Sequence, residues 1–169
     1  MKKYNTHILY GISILYTLLL LKSSNPFTTN FTHLVNHKQQ FLSVLIWLVI
    51  NLLYYFIAFK KLNPNFKLQY YFPIVIASCL TILTPYHLTK YPIISNLHVL
   101  AGYLSFILLN LHIIYTLFYF EKNYLSLYIG IAFILGTEVL HYGAINTLFQ
   151  VSYTILINTL LFIIIKRSK

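Results

Sequence analysis

From Leu97 to Phe120 the chain carries no Asp, Glu, Lys or Arg, and about 20 apolar residues are enough for a helix to cross a hydrocarbon core about 30 Å thick. This is the longest of several such runs. Others extend from about His7 to Leu21, Phe41 to Phe59, Gln69 to Tyr86, Leu125 to Tyr142 and Ile145 to Ile165. Polar and proline-containing segments separate them: Lys22 to Pro26, Lys60 to Pro64, Thr84 to His87, and Glu121 to Asn123. Such segments cannot continue a lipid-facing helix. Pro73 falls early enough in its run to sit in a first helical turn. The link between the last two runs is short, so they form an antiparallel hairpin. The expected fold is all-α, a polytopic transmembrane helical bundle of six spans, with 1–169 as a single membrane domain. The longest loop, Lys22 to Gln40, is too short to bury a separate core.

Composition excludes the water-soluble alternative. Hydrophobic residues make up 59% of the chain and charged residues 8%, against roughly a quarter charged in soluble domains. The formal charge of +10 would elsewhere suggest nucleic acid, but here the lysines stand between apolar runs and act as membrane anchors. Met1, Lys2 and Lys3 before an apolar run resemble a signal peptide. No small-x-small cleavage pattern follows Leu21, so the run is expected to be a retained first span. Cys79 is the single cysteine and has no second thiol to pair with.

Short cytoplasmic loops are enriched in Lys and Arg. With both termini inside, Lys2, Lys3, Lys60, Lys61, Lys67, Lys122, Lys166, Arg167 and Lys169 face the cytoplasm, and only Lys22, Lys38 and Lys90 face out. The opposite orientation inverts that bias. Clusters such as Tyr54 to Phe56, Tyr70 to Phe72 and Tyr119 with Phe120 fit interfacial aromatic belts. The expected location is the cell membrane, multi-pass. The partner is the lipid bilayer itself, and the 166–169 tail lies on anionic inner-leaflet lipid, which contributes about 1 kcal/mol per basic residue.

Ionisable groups at membrane depth are costly and mark candidate sites. Glu138 is the one acid inside a span, and His141, three residues on, shares its helix face at about 5–6 Å between Cβ atoms. The topology puts His98 and His87 in the same outer leaflet, so His87, His98, Glu138 and His141 form the candidate binding site. A divalent metal, a lipid headgroup or small solute, or a proton relay could use these groups. The plain alternative is a self-satisfied pair at a wet interface. Tight metal spacing such as His-Glu-x-x-His does not occur. Asn51, Asn110 and Asn158 read as interhelical hydrogen bonders. Asn30, Phe31 and Thr32 match a glycosylation sequon, and His33 and His37 sit in the same loop at helical spacing.

A second pattern involves His98 and His112, fourteen residues apart. They return to nearly one helix face about 21 Å apart along the axis. The run from Leu97 to His112, with Gly102 and Phe106 inside it, resembles the ligand helix of b-type cytochromes and ferric-reductase-like membrane proteins. That resemblance implies haem b, with His98 and His112 as axial ligands and Gly102 as the point of close approach. His7 is then the partner for His112, and His141 the partner for His98. Over more of the chain, six helices, Thr84 to Tyr86 before an outer loop, Ser95 to His98 opening the fourth span, and Gly136 with Glu138 resemble the Frag/DRAM/Sfk-like six-helix membrane proteins. This second resemblance implies lipid handling or trafficking at the outer leaflet.

Three functions follow: an outer-leaflet polar site for a lipid headgroup or small solute, a haem cytochrome for transmembrane electron transfer, and a structural or assembly subunit of a membrane complex. With no Asp, a Ser-His-Asp triad is impossible, and five glycines without a phosphate loop argue against nucleotide binding. The residues do not choose between transporter, enzyme and subunit.

Overall fold

The computed structural model describes residues 4–36, 40–87, 89–143 and 145–167, the side chains of residues 4, 5 and 36 apart. Lys2, Lys3, Lys38, Lys169 and His37 lie outside the described residues. Among the described residues, seven α-helices follow one another: α1 Tyr4–Lys22, α2 Phe31–Asn36, α3 Phe41–Leu62, α4 Leu68–Leu83, α5 Pro92–Phe120, α6 Leu125–Tyr142 and α7 Thr147–Arg167. A 3₁₀ turn, Lys122–Tyr124, leads into α6. No strand occurs among the described residues.

Among the described residues, four stretches are long and apolar enough to cross a membrane: Phe41–Leu62, Pro92–Phe120, Lys122–Tyr142 and Thr147–Arg167. Thr6–Lys22 and Leu68–Leu83 are apolar but shorter, about 26 and 24 Å at 1.5 Å per residue.

Local chemistry explains where the helices begin and end. Pro92 occupies the first turn of α5, where its fixed φ suits a helix and its missing N–H is not needed; this starts the helix ahead of the expected Leu97. Asn146 caps α7, its Oδ1 accepting from the Phe149 N–H at 2.9 Å, and Asn30 caps α2 by accepting from the His33 N–H at 2.9 Å. Gly143, at φ 67°, closes α6 in the left-handed conformation that glycine adopts without steric cost. Pro73 is the sixth residue of α4, one turn deeper than expected. Its ring removes the donor that the Gln69 carbonyl would otherwise receive.

α3 is the axle of the bundle, touching α1, α2, α4, α5 and α7. α4 packs most extensively on α5, α1 lies against α3 and α7, and α6 leans on α7 with a slighter contact to α5. One end of the bundle gathers Lys60, Lys61, Lys67, Lys122, Lys166 and Arg167, whereas Lys22 and Lys90 belong to the other. We call these the basic end and the strap end. At the basic end, the Lys61 ammonium donates to the Thr6 hydroxyl, tying α3 to α1.

The interior is layered. A cluster toward the basic end holds Tyr54, Phe59, Ile113, Leu117, Ile157 and Leu161, and another toward the strap end holds Leu20, Phe31, Leu34, Val44, Leu48 and Val151. Between them lies a polar layer built from the middle of three helices. Ser13 of α1 donates to Asn51 Oδ1 of α3 at 2.7 Å. Asn158 Nδ2 of α7 donates to Ser13 Oγ at 2.6 Å and to Asn51 Oδ1 at 2.9 Å. All three residues are buried. Helices in lipid lack a hydrophobic drive toward one another and associate through close packing and such hydrogen bonds. Asn110 performs the same task for α5, accepting from Tyr128 of α6 and, at 3.0 Å, from Tyr153 of α7.

Candidate functional site

Residues 23–36, which follow α1, fold over the strap end, and this strap organises the polar groups there. The first N–H groups of a helix have no partner within it. In α7 they find partners in the strap: Thr147 N donates to the Thr29 carbonyl at 2.7 Å and Leu148 N to the Pro26 carbonyl at 2.9 Å. Gln150 of α7 reciprocates, accepting from the Phe31 N–H at 2.7 Å.

His98 joins the strap to α4 and α5. Its Nδ1 lies 2.9 Å from the Thr84 carbonyl, which can only accept, so Nδ1 carries the proton. Nε2 therefore accepts, from the Thr32 hydroxyl at 3.0 Å. One buried imidazole thus bridges α2, the end of α4 and α5, with the Tyr86 ring 5.6 Å from its own. Ser95, one turn earlier, accepts from the His87 N–H at 2.8 Å. The His87 side chain itself is exposed.

Glu138 and His141 occupy the last turns of α6. Glu138 is half-buried, and its Oε1 is shielded without a hydrogen-bond partner. His141 is exposed, its ring edge-on to Tyr142 at 4.8 Å, and Tyr142 meets Phe27 of the strap at 5.6 Å. The structure keeps Glu138 and His141 together on one helix. Among the described residues, no hydrogen bond or ring contact joins His98 to either. Among the described residues, no three His, Cys, Asp or Glu side chains converge as a metal-binding set.

The haem arrangement implied by the fourteen-residue spacing requires two facing histidine pairs with free nitrogens. Both ring nitrogens of His98 are engaged by protein groups. His112 is packed among Phe59, at 4.8 Å between ring centroids, and Phe66, at 5.4 Å, with Nε2 buried and unpartnered. His7 stands edge-on to Phe162 of α7 at 5.0 Å, not against His112, and His141 lies against Tyr142, not against His98. Gly102 faces α4, where a Cβ would meet the Thr81 methyl at 3.5 Å. These residues do not fit a pair of stacked haems.

Several structural partners carry no signal in the sequence. Thr32 and Thr84 are ordinary loop and helix-end threonines until the fold sets them on either side of His98. Ser13 was as readable as Asn51 and Asn158, since each is a polar residue near the midpoint of an apolar run. Asn30 and Thr32, the ends of the sequon, are occupied as a helix cap and as the His98 donor. His33 lies on α2 and is exposed.

Comparison of the chain with protein-family models, with curated proteins and with solved structures returns no match.

Proposed function

We propose that the protein is a six-span cell-membrane protein with both termini in the cytoplasm, and that the final turns of α6 form a lipid-binding site in the outer leaflet. Four stretches satisfy the length of a bilayer crossing. Their tight packing with α1 and α4 supports counting these two shorter helices as spans, since shorter spans are accommodated by local thinning of the bilayer. The concentration of Lys and Arg at one end supports placing that end, and with it the anionic lipid, on the cytoplasmic side.

One observation carries the site: the Glu138 oxygen that is shielded yet has no partner. A carboxyl group at membrane depth is expensive unless something donates to it, and among the described residues no group donates to that oxygen. The Glu138 side chain is only half-buried, with exposed Ile134 one turn back and His141 one turn on, which supports a lipid molecule approaching the carboxyl group from outside the bundle. His98 serves as a positioning residue that fixes the strap and the end of α4, while His141 and the exposed His87 supply the outer rim.

The test is lipid retention. Wild-type protein and Glu138→Leu, purified in nanodiscs formed directly from the membrane, are compared by mass spectrometry of the lipids they carry. The reading expects a lipid enriched with the wild type and lost from the variant. Identical lipid profiles from two equally folded proteins remove the site.

A further inference from the structure

We infer that His98 is a proton-operated latch: its uncharged ring holds α2 against the ends of α4 and α5, and uptake of a second proton releases α2 from the bundle. Imidazole is the side chain whose charge ordinarily changes between about pH 5 and about pH 8, and this one is 3% exposed. Its two nitrogens are engaged by different segments, Nδ1 by the Thr84 carbonyl at 2.9 Å and Nε2 by the Thr32 hydroxyl at 3.0 Å. A second proton goes to Nε2, because Nδ1 already carries one. The Thr32 hydroxyl must then turn from donor to acceptor, which keeps a bond but leaves the charge where it is.

Among the described residues, no carboxylate bonds to the ring. α2 brings Thr32, with His33 beside it; the end of α4 and the loop after it bring Thr84, Tyr86 and His87; Lys90 and Tyr91 lead into α5, which adds Ser95. These neighbours are neutral or basic. A buried charge without an opposite partner is costly, whereas water solvates the imidazolium once the ring is uncovered. The docked state therefore binds one proton fewer than the released state, so docking is favoured above the imidazole range and lost as pH falls through it. α2 is fit to respond, since six residues are too few to hold a helix alone. Its remaining ties are the Phe31 N–H to Gln150 at 2.7 Å and the buried side chains of Phe31 and Leu34. The Pro26 and Thr29 carbonyls bond the first turn of α7 without any titratable group, so they stay in place as the hinge on which α2 swings.

The chain supplies its own reporter. Trp47 is the single tryptophan, and Phe31 of α2 stands edge-on to it at 4.6 Å. The full chain in phosphatidylcholine nanodiscs is taken from about pH 8 to about pH 5. Trp47 emission and hydrogen exchange of residues 31–36, corrected for the intrinsic effect of pH, are followed together. Protection of residues 31–36 should fall about tenfold per pH unit, the slope of one linked proton, while the centre of α7 stays protected. Trp47 emission should shift to the red in the same step. His98→Gln should abolish the step, and His33→Gln and His87→Gln should keep it. Where His98→Gln leaves α2 loose at every pH, Thr32→Val decides: it weakens docking but keeps the titrating ring, so the midpoint should move to higher pH. Protection of residues 31–36 that does not change across the range overturns the inference. So does a step that survives His98→Gln, that vanishes in His33→Gln or His87→Gln, or that spreads to the centre of α7, and so does a midpoint that Thr32→Val leaves in place.

Discussion

Replacing Asn51 by Leu should destabilise the protein far more than replacing Asn158 by Leu, although the two asparagines touch. Asn51 Oδ1 accepts two hydrogen bonds, from Ser13 Oγ at 2.7 Å and from Asn158 Nδ2 at 2.9 Å. Interhelical bonds in membranes average about 0.6 kcal/mol, so the pair contributes about 1.2 kcal/mol. Removing that oxygen also leaves an Asn158 N–H buried without an acceptor, at about 1–3 kcal/mol. Asn51→Leu therefore costs about 2–4 kcal/mol. Asn158→Leu loses two bonds as well, but it removes Asn158 Oδ1, which is already buried without a partner, and recovers that penalty. Its net cost is about 1 kcal/mol or less by the same bookkeeping. Ser13 and Asn51 keep their mutual bond in that variant. The double variant also loses the Ser13 bond but leaves no stranded Asn158 N–H, so it should cost more than Asn158→Leu yet less than the sum of the two single variants, a non-additive result. Reversible unfolding in mixed detergent and dodecyl sulfate micelles measures all three. Equal costs for the single variants, or an additive double variant, would refute the assigned direction of these bonds.

Other expectations can be checked singly. His98→Ala removes the bonds to Thr32 and Thr84 and opens a cavity, costing about 3 kcal/mol; hydrogen exchange of residues 31–36 should rise while that of α7's centre is unchanged. Gly102→Ala places its methyl 3.5 Å from the Thr81 methyl, an ordinary contact, so its unfolding midpoint should stay within that of a surface substitution, whereas Gly102→Leu should part α4 from α5. Because the histidines do not face one another in pairs, protein purified from haem-supplied cells should show no Soret band before or after dithionite. A band lost on substituting His112 would contradict that geometry.

The helices were legible because lipid asks so little of a sequence: an unbroken apolar run is nearly sufficient, and α3, α5, α6 and α7 follow from theirs. The ends were less so. Lys60 and Lys61 remain inside α3 because long basic side chains can reach water from within a helix, and α5 begins early because Pro92 suits its first turn. α2 is six residues long and is held in place by distant partners, the Gln150 carboxamide and the His98 imidazole, which no local pattern announces. The placement of Glu138 and His141 on one helix was readable from helical periodicity. The partners of His98, Thr32 and Thr84, were not, because they depend on how the strap and the end of α4 meet α5.

The polar layer has a consequence for how the chain is made. On the proposed six-span topology, Ser13 and Asn51 can meet as soon as α3 has entered the membrane, but the amide that completes their arrangement is on α7, 107 residues after Asn51. The Pro26 and Thr29 carbonyls of the strap wait equally long for the first turn of α7. Until that helix arrives, α1 and α3 present an open slot lined with hydroxyl and amide groups to the lipid. The last helix thus enters as a keystone, locking the middle and one rim together. A ribosome stalled before α7 should leave a chain that is inserted but still dependent on the insertion machinery or a membrane chaperone to shelter its seam.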